Sequence, residues 1–255
     1  MAQVPAIDLT GQVALVTGGT RGLGRGIAAA LAGAGCKVVA CARSVPESPP
    51  EGIEFLAADI RDADAAKALI EEVVDRHGRI DILVNNAGGS PAAAAETASP
   101  RFVDAILKLN LVAPLYLAQA AHPHMAAQGS GSIVNIASVS GIRPSPGTAV
   151  YGAAKAGLLN LTQSLAQEWG PAGIRVNAII AGLMSTENAE ATYGDTEAQA
   201  AVGRSMPLQR MGTGEDLAGA VLWLCSPLAA WGRGARINVD GGGERPYFLD
   251  LVKGG

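Results

Sequence analysis

Seven short runs rich in Val and Ile, at residues 12–17, 37–41, 53–57, 80–84, 132–136, 175–180 and 235–239, are separated by stretches with helical periodicity. This alternation constrains the chain more than any other feature. Parallel neighbours cannot be joined by a tight hairpin, so strands and helices taking turns imply parallel strands linked by helical crossovers. The helical stretches are 62–77, where Ala66, Leu69, Ile70, Val73 and Val74 share one face, then 100–127, 151–169 and 214–224, with a further pattern starting at Ile27 and ending near residues 33–35. Strands apolar on both faces need helices on both sides. The expected fold is therefore α/β, a doubly wound, seven-stranded parallel sheet with helices on both faces.

No linker or composition shift divides the 255 residues, so 1–255 reads as one domain. With 49% hydrophobic and 16% charged residues, disorder is excluded. A net charge of −4 offers no electrostatic footprint for nucleic acid. The opening residues lack a basic and then apolar leader, and the apolar stretch 109–121 is interrupted by Asn110, Pro114 and Gln119, so neither export nor a membrane partner is expected. Cys36, Cys41 and Cys225 form no CxxC pair and are odd in number, which suits reduced thiols in the cytoplasm. Two segments stand apart. Residues 183–205 form the long connection without a strand and read as a flap over a site; residues 243–255, with Tyr247, Phe248, Leu249 and Leu251, read as a tail that covers a pocket or neighbouring subunit, or that is disordered.

Chemistry concentrates at the carboxyl ends of the strands. Directly after the first one, Thr17-Gly18-Gly19-Thr20-Arg21-Gly22-Leu23-Gly24 precedes a helix. Glycines let backbone approach a pyrophosphate, and the helix N-terminus offers free N–H groups to it, so dinucleotide binding is expected over an ordinary turn. Tyr151 and Lys155 are four apart and share a helix face, where an ammonium near a phenol would favour the phenolate and lower the tyrosine's pKa. Such a tyrosine can exchange a proton with a carbonyl or alcohol oxygen, and Ser138 at a strand end can hydrogen-bond the same oxygen. Taken singly, a surface Tyr–Lys pair and a strand-end serine remain open. His122-Pro123-His124 lacks the spacing that puts two ligands on one helix face, so no metal is expected. His77 reads as a favourable charge at a helix C-terminus or as a solvated polar group.

The glycine pattern TGxxxGxG, Asn85-Asn86-Ala87-Gly88, Ser138 and Tyr151-Gly152-Ala153-Ala154-Lys155, in this order across nearly the whole chain, resemble the classical short-chain dehydrogenases/reductases. The resemblance implies a Rossmann-type domain and an NAD(P)-dependent oxidoreductase interconverting a ketone and a secondary alcohol, similar to 3-oxoacyl thioester reductases and broad-range alcohol dehydrogenases. It implies a catalytic set of Asn110, Ser138, Tyr151 and Lys155, with Lys155 also on the nicotinamide ribose and Asn110 holding a proton-relaying water. The cofactor site it implies takes Gly18, Thr20, Arg21, Gly22, Leu23 and Gly24 from the turn, then Arg43, Ser44, Asp59 and Ile60, with Asp59 beside the adenine ring, although an aspartate at a helix N-terminus with no ligand is an equally open reading of that residue. Asn86, Ala87, Gly88, Tyr151, Lys155, Gly182, Met184 and Thr186 complete it.

The chain departs from the family where the usual PG after the sixth strand is Ala181-Gly182, which predicts a looser turn into the flap. At the end of the second strand, Ala42 stands where NAD-specific members carry an aspartate, and Arg43 and Arg21 are placed to meet a 2′-phosphate. NADP is thus the preferred cofactor, with NAD also possible. A homotetramer is expected through the helices 100–127 and 151–169, with Leu158, Leu159, Leu161 and Leu165 supplying more than one apolar face. The rival from another class is a non-catalytic dinucleotide sensor or scaffold; the extended lyase and epimerase branch generally needs a longer chain.

Overall fold

The computed structural model describes residues 6–44 and 52–244, so the aromatic and leucine residues of the proposed tail lie outside the described residues. The seven strands are β1 Val13–Thr17, β2 Lys37–Ala42, β3 Ile53–Ala57, β4 Ile82–Asn85, β5 Gly131–Ser138, β6 Ile174–Ala181 and β7 Arg236–Val239. They form one sheet in the order β3-β2-β1-β4-β5-β6-β7, with every pairing parallel. The helices are α1 Gly22–Gly33, α2 Ala63–His77, α3 Pro100–Leu107, α4 Ala113–Gln128, α5 Ala149–Glu168, α6 Ala189–Tyr193, α7 Thr196–Ser205 and α8 Gly214–Cys225.

Side chains alternate across a strand, so each strand feeds two cores. Val13 and Leu15 of β1 join Val39, Leu83, Ile133 and residues of α2, α4 and α5 on one face. Ala14 and Val16 join Val38, Val84, Val134 and residues of α1 and α8 on the other. On that second face α1 and α8 touch backbone to backbone at Gly26 and Gly214, where a Cβ on Gly26 would stand 2.8 Å from the Gly214 carbonyl carbon. Chain order reverses between β1 and β4, which opens a crevice at their carboxyl ends. The loops after Thr17 and Asn85 meet there.

Four expectations need correction. First, α1 begins at Gly22 inside the glycine turn, earlier than the apolar pattern indicates, since glycines carry no periodicity. Second, the helix expected over 100–127 is broken by one π turn, Lys108–Val112, between α3 and α4, which turns Asn110 inward to full burial. The whole run Pro100–Gln128 is long and apolar enough by length and composition to cross a membrane, contrary to the reading of interrupted stretches. Here its Leu117, Ala121 and Met125 pack in the sheet core. Third, Leu158, Leu159 and Leu165 are buried within the domain, leaving only Leu161 half-buried for an outer face. Fourth, the Ala181-Gly182 junction is tight: Ala181 pairs with Val239 as the last residue of β6, and the Gly182 N–H continues the ladder to the Val239 carbonyl at 3.1 Å.

Candidate active site

The turn after β1 is built around close approaches that exclude side chains. Gly18 has φ +64°, and a Cβ there would lie 3.0 Å from Asn86 Nδ2; a Cβ on Gly24 would stand 2.3 Å from the Gly18 carbonyl oxygen. Thr17 ties this turn to the end of β4, because its hydroxyl accepts from the Asn86 and Ala87 N–H groups, each at 3.0 Å. Asn86 Nδ2 in turn donates to the Thr17 carbonyl at 2.9 Å. Helix α1 starts with Arg21 extended and no side-chain cap, and its first turn carries no acid. Its free N–H groups and positive dipole end suit an anion, so the turn fits a dinucleotide pyrophosphate. Thr20 and Leu23 are half-buried beside it, while Arg21 is exposed.

At the crevice edge, Ala42 ends β2 without a carboxylate, and Arg43 and Ser44 are exposed just beyond. Ile60 is buried after β3. Asp59 is engaged by a residue the sequence reading did not single out. Arg61 grips it in a fork, Nε donating to Oδ1 at 2.8 Å and Nη2 to Oδ2 at 2.5 Å. Arg61 holds the Asp59 carboxyl down at about 2, with Arg43 adding a smaller pull in the same direction. The i, i+2 spacing of this pair after a strand was the available signal.

The expected proton-handling residues converge. Ser138 is the last residue of β5, and Tyr151 and Lys155 lie on the first turns of α5. A Cβ on Gly88 would stand 2.7 Å from Asn110 Oδ1 and 3.2 Å from Lys155 Nζ, so the loop after β4 brings the π turn and α5 to one point. Asn110 Oδ1 accepts from the Gly89 N–H at 2.9 Å, and its Nδ2 donates to the Gly89 and Ile106 carbonyls at 3.0 Å each. Lys155 is buried, its Nζ donating to the Ile136 carbonyl at 2.8 Å and lying 5.6 Å from the Tyr151 ring centre. Burial pushes its pKa down to about 8. The lowered tyrosine expected from the Tyr–Lys spacing is overturned. Burial raises the Tyr151 pKa and outweighs the lowering by a hydrogen bond with Ser138. The ammonium is turned toward a carbonyl rather than the phenol oxygen.

The connection after β6 is pinned at its neck: the Gly212 N–H donates to the Leu183 carbonyl at 3.0 Å, and the Ser185 N–H to the Gly212 carbonyl at 2.8 Å. Met184 and Gly212 pair in parallel there. Between these points run α6 and α7, and Thr186 and Glu187 lie against Gly22 of the glycine turn. Beside the neck, a cavity of about 440 Å³ is lined by Met184, Met206, Leu208, Arg210 and Asp240 among others, none of them from the Ser138–Tyr151–Lys155 group. Among the described residues no cluster of three His, Cys, Asp or Glu could hold a metal. His122 packs at a tilt against Trp169 with ring centres 4.7 Å apart, and His124 and His77 face Glu71 and Glu54. The three thiols are buried and pushed up to about 12 by that burial, so they act as small apolar groups.

A family model described as enoyl-(acyl carrier protein) reductase matches residues 18–244. The chain is 38% identical to the 2-dehydro-3-deoxy-D-gluconate 5-dehydrogenase of Escherichia coli K12 over 245 residues, 93% of this chain and 97% of that protein. It is also 38% identical to a 3-oxoacyl-[acyl-carrier-protein] reductase of Synechocystis, covering 92% and 97%. Among solved structures, a Beutenbergia cavernae protein described as an NAD(P)-dependent gluconate 5-dehydrogenase, with NADP bound at low occupancy, superposes with a TM-score of 0.85 at 34% identity, covering 93% of this chain and 98% of that one. A short-chain alcohol dehydrogenase from Sinorhizobium meliloti 1021 gives 0.86 at 37%, with the same coverage. With the parallel sheet, the glycine turn and the Ser138, Tyr151, Lys155 group already in place, these likenesses settle the family: the chain belongs to the classical short-chain dehydrogenases/reductases and is an NAD(P)-dependent oxidoreductase acting on CH–OH groups.

Proposed function

We propose that this enzyme reduces a small-molecule ketone to a secondary alcohol, using NADPH in preference to NADH. The observation that carries the proton chemistry is the meeting of Ser138 at the end of β5 with the half-buried Tyr151 and the buried Lys155 on the first turns of α5. A protonated phenol donates to a carbonyl oxygen as negative charge develops there, while the Ser138 hydroxyl holds the same oxygen in line. Lys155, fixed on the Ile136 carbonyl, orients the ribose end of the cofactor and supplies positive charge behind the phenol. The side chain of Asn110 fixes the loop that carries Gly88, a positioning role. When bound, the nicotinamide supplies the hydride.

Gly18, Thr20, Arg21, Gly22, Leu23 and Gly24 would cradle the pyrophosphate, and Asn86, Ala87, Gly88, Gly182, Met184 and Thr186 the nicotinamide half. The exposed Arg21 and Arg43, with no acid at Ala42, support a 2′-phosphate partner. Asp59 and Ile60 border the adenine, with Asp59 turned toward Arg61. Residues 183–205 would act as the flap over substrate. We also infer a tetramer through α3, the π turn, α4 and α5, where half-buried Leu111, Leu115, Tyr116 and Leu161 replace the leucines found in the core. Three unreactive thiols support a cytoplasmic setting.

The test is a panel of ketones incubated with NADPH and with NADH, followed by loss of reduced-nicotinamide absorbance. Turnover at least tenfold better in kcat/KM for NADPH, with that advantage lost in Arg43→Ala, is expected. No turnover of any ketone by folded enzyme refutes the reductase reading; equal use of both cofactors refutes the phosphate assignment. Sedimentation at micromolar concentration checks the tetramer, and a monomer there refutes it.

A further inference from the structure

The loop between Ser138 and Tyr151 carries a charged side chain that the proton chemistry does not use. Arg143 sits five residues beyond Ser138, its N–H donating to the Val139 carbonyl at 3.1 Å. The backbone around it is held against α5. A Cβ on Gly141 would stand 2.8 Å from the Lys155 carbonyl carbon, and one on Gly152 2.8 Å from the Ser140 carbonyl oxygen. Arg143 therefore leaves from a point fixed relative to Tyr151 and Lys155.

Its guanidinium meets Glu244, which follows β7 at the far end of the described chain. Nη2 donates to Oε1 at 2.6 Å, and Nε stands 2.5 Å from Oε2. That Nε is shut off from solvent, yet its N–H is not aligned on an acceptor. The pair thus leaves one donor of the fork poorly used. Both side chains are more than a third exposed, 36% and 38%, so the pair contributes little to stability and is open to exchange. Tyr193 of α6 lies within electrostatic reach of Arg143, Glu244 and Tyr151.

A planar fork matches the two oxygens of a carboxylate, which is what Glu244 presents. A substrate carboxylate in its place would preserve charge balance and offer Nε a straight acceptor. We propose that Arg143 determines specificity by binding a carboxylate on the substrate, with Glu244 as the internal group it displaces, so that the substrates are oxo acids. This rests on the ketone-reductase reading and adds the substrate class to it.

The experiment compares 3-oxobutanoate, 4-oxopentanoate and 5-oxohexanoate with their methyl esters, using NADPH and wild type, Arg143→Met, Arg143→Lys and Glu244→Gln. For at least one chain length the wild type is expected to favour the acid, and Arg143→Met to lower the acid-to-ester ratio of kcat/KM by about thirtyfold, the scale of one lost charge-assisted hydrogen bond. Arg143→Lys, which keeps charge without the fork, should recover part of that ratio, and Glu244→Gln should lower KM for the acid. An acid-to-ester ratio within threefold of wild type in Arg143→Met at all three lengths overturns the proposal. So does a Glu244→Gln variant that loses acid and ester turnover equally. If wild type reduces none of the six compounds, the reductase reading fails for this class, and calorimetric titration of the three acids into NADP-saturated protein decides Arg143 separately. Binding by wild type that Arg143→Met abolishes upholds it, and no binding or equal binding overturns it.

Discussion

Asn110→Ala separates a structural side chain from a chemical one. The amide is fully buried and spends both its polar atoms on three bonds, one from the Gly89 N–H and two to the Gly89 and Ile106 carbonyls. Each such bond contributes about 1 kcal/mol net, so truncation should cost about 3 kcal/mol, with Gly89 left unpaired on both sides. For a domain of this length that corresponds to a fall in Tm of about 6–12 °C. The loop carrying Gly88 is released from the π turn, so NADPH affinity should fall as well. Scanning calorimetry reads the first effect and fluorescence titration of NADPH the second. Asn110→Asp sharpens the test, because it keeps the acceptor for Gly89 N–H but turns a second oxygen onto two carbonyls. It should be less stable than Asn110→Ala despite its closer shape. A Tm for Asn110→Ala within 2 °C of wild type, or an aspartate variant more stable than the alanine one, would refute the reasoning.

Tyr151→Phe should lower the reduction rate by roughly 10²–10⁴ while NADPH affinity stays within about threefold; more than a tenth of the rate remaining would remove Tyr151 as the proton donor. Lys155 titrates at about 8 when folded and at 10.5 when free, so the folded state sheds its proton first. Wild-type stability relative to Lys155→Met should be flat below pH 8 and rise by a little over 1 kcal/mol per pH unit from there to about 10.5, in urea titrations without cofactor. A relative fall over that window contradicts the burial argument. Gly26→Ala puts a methyl 2.8 Å from the Gly214 carbonyl carbon and should cost about 1–3 kcal/mol in the same assay as α1 and α8 part. An unchanged urea midpoint would show that the two helices have room to spare.

The seven strands and their parallel order class were legible because Val and Ile runs buried on both faces admit few other arrangements. The grouping of Ser138, Tyr151 and Lys155 was legible too, since one strand end and one helix turn suffice to place them. The π turn was not. Leu109, Asn110 and Leu111 look the same in a regular helix, and only packing against Gly89 decides that the amide turns inward. The direction of the Tyr151 shift differs from the expectation for a related reason: spacing shows that a lysine shares the face, but not that its Nζ is already bonded to Ile136 or how far the half-buried tyrosine loses water. Contacts between distant segments, such as Asn85 Nδ2 donating to Asn135 Oδ1 at 2.8 Å and Arg143 meeting Glu244, leave no local pattern to find.

The hydroxyl of Thr17 bears on the order of folding. It takes the N–H groups of Asn86 and Ala87, and Asn86 returns a bond to the Thr17 carbonyl, so residues about 70 positions apart share one knot. The glycine turn therefore cannot reach its final shape when the first strand, turn and helix have formed. It must wait until β4 docks beside β1 and brings Asn86 with it. A chain emerging from the ribosome with only its first 80 residues would hold every glycine of the motif and still lack the cradle. Dinucleotide added during synthesis or refolding stabilises by mass action only chains that have passed that point, acting as a late selector of completed molecules rather than as a template for the early ones.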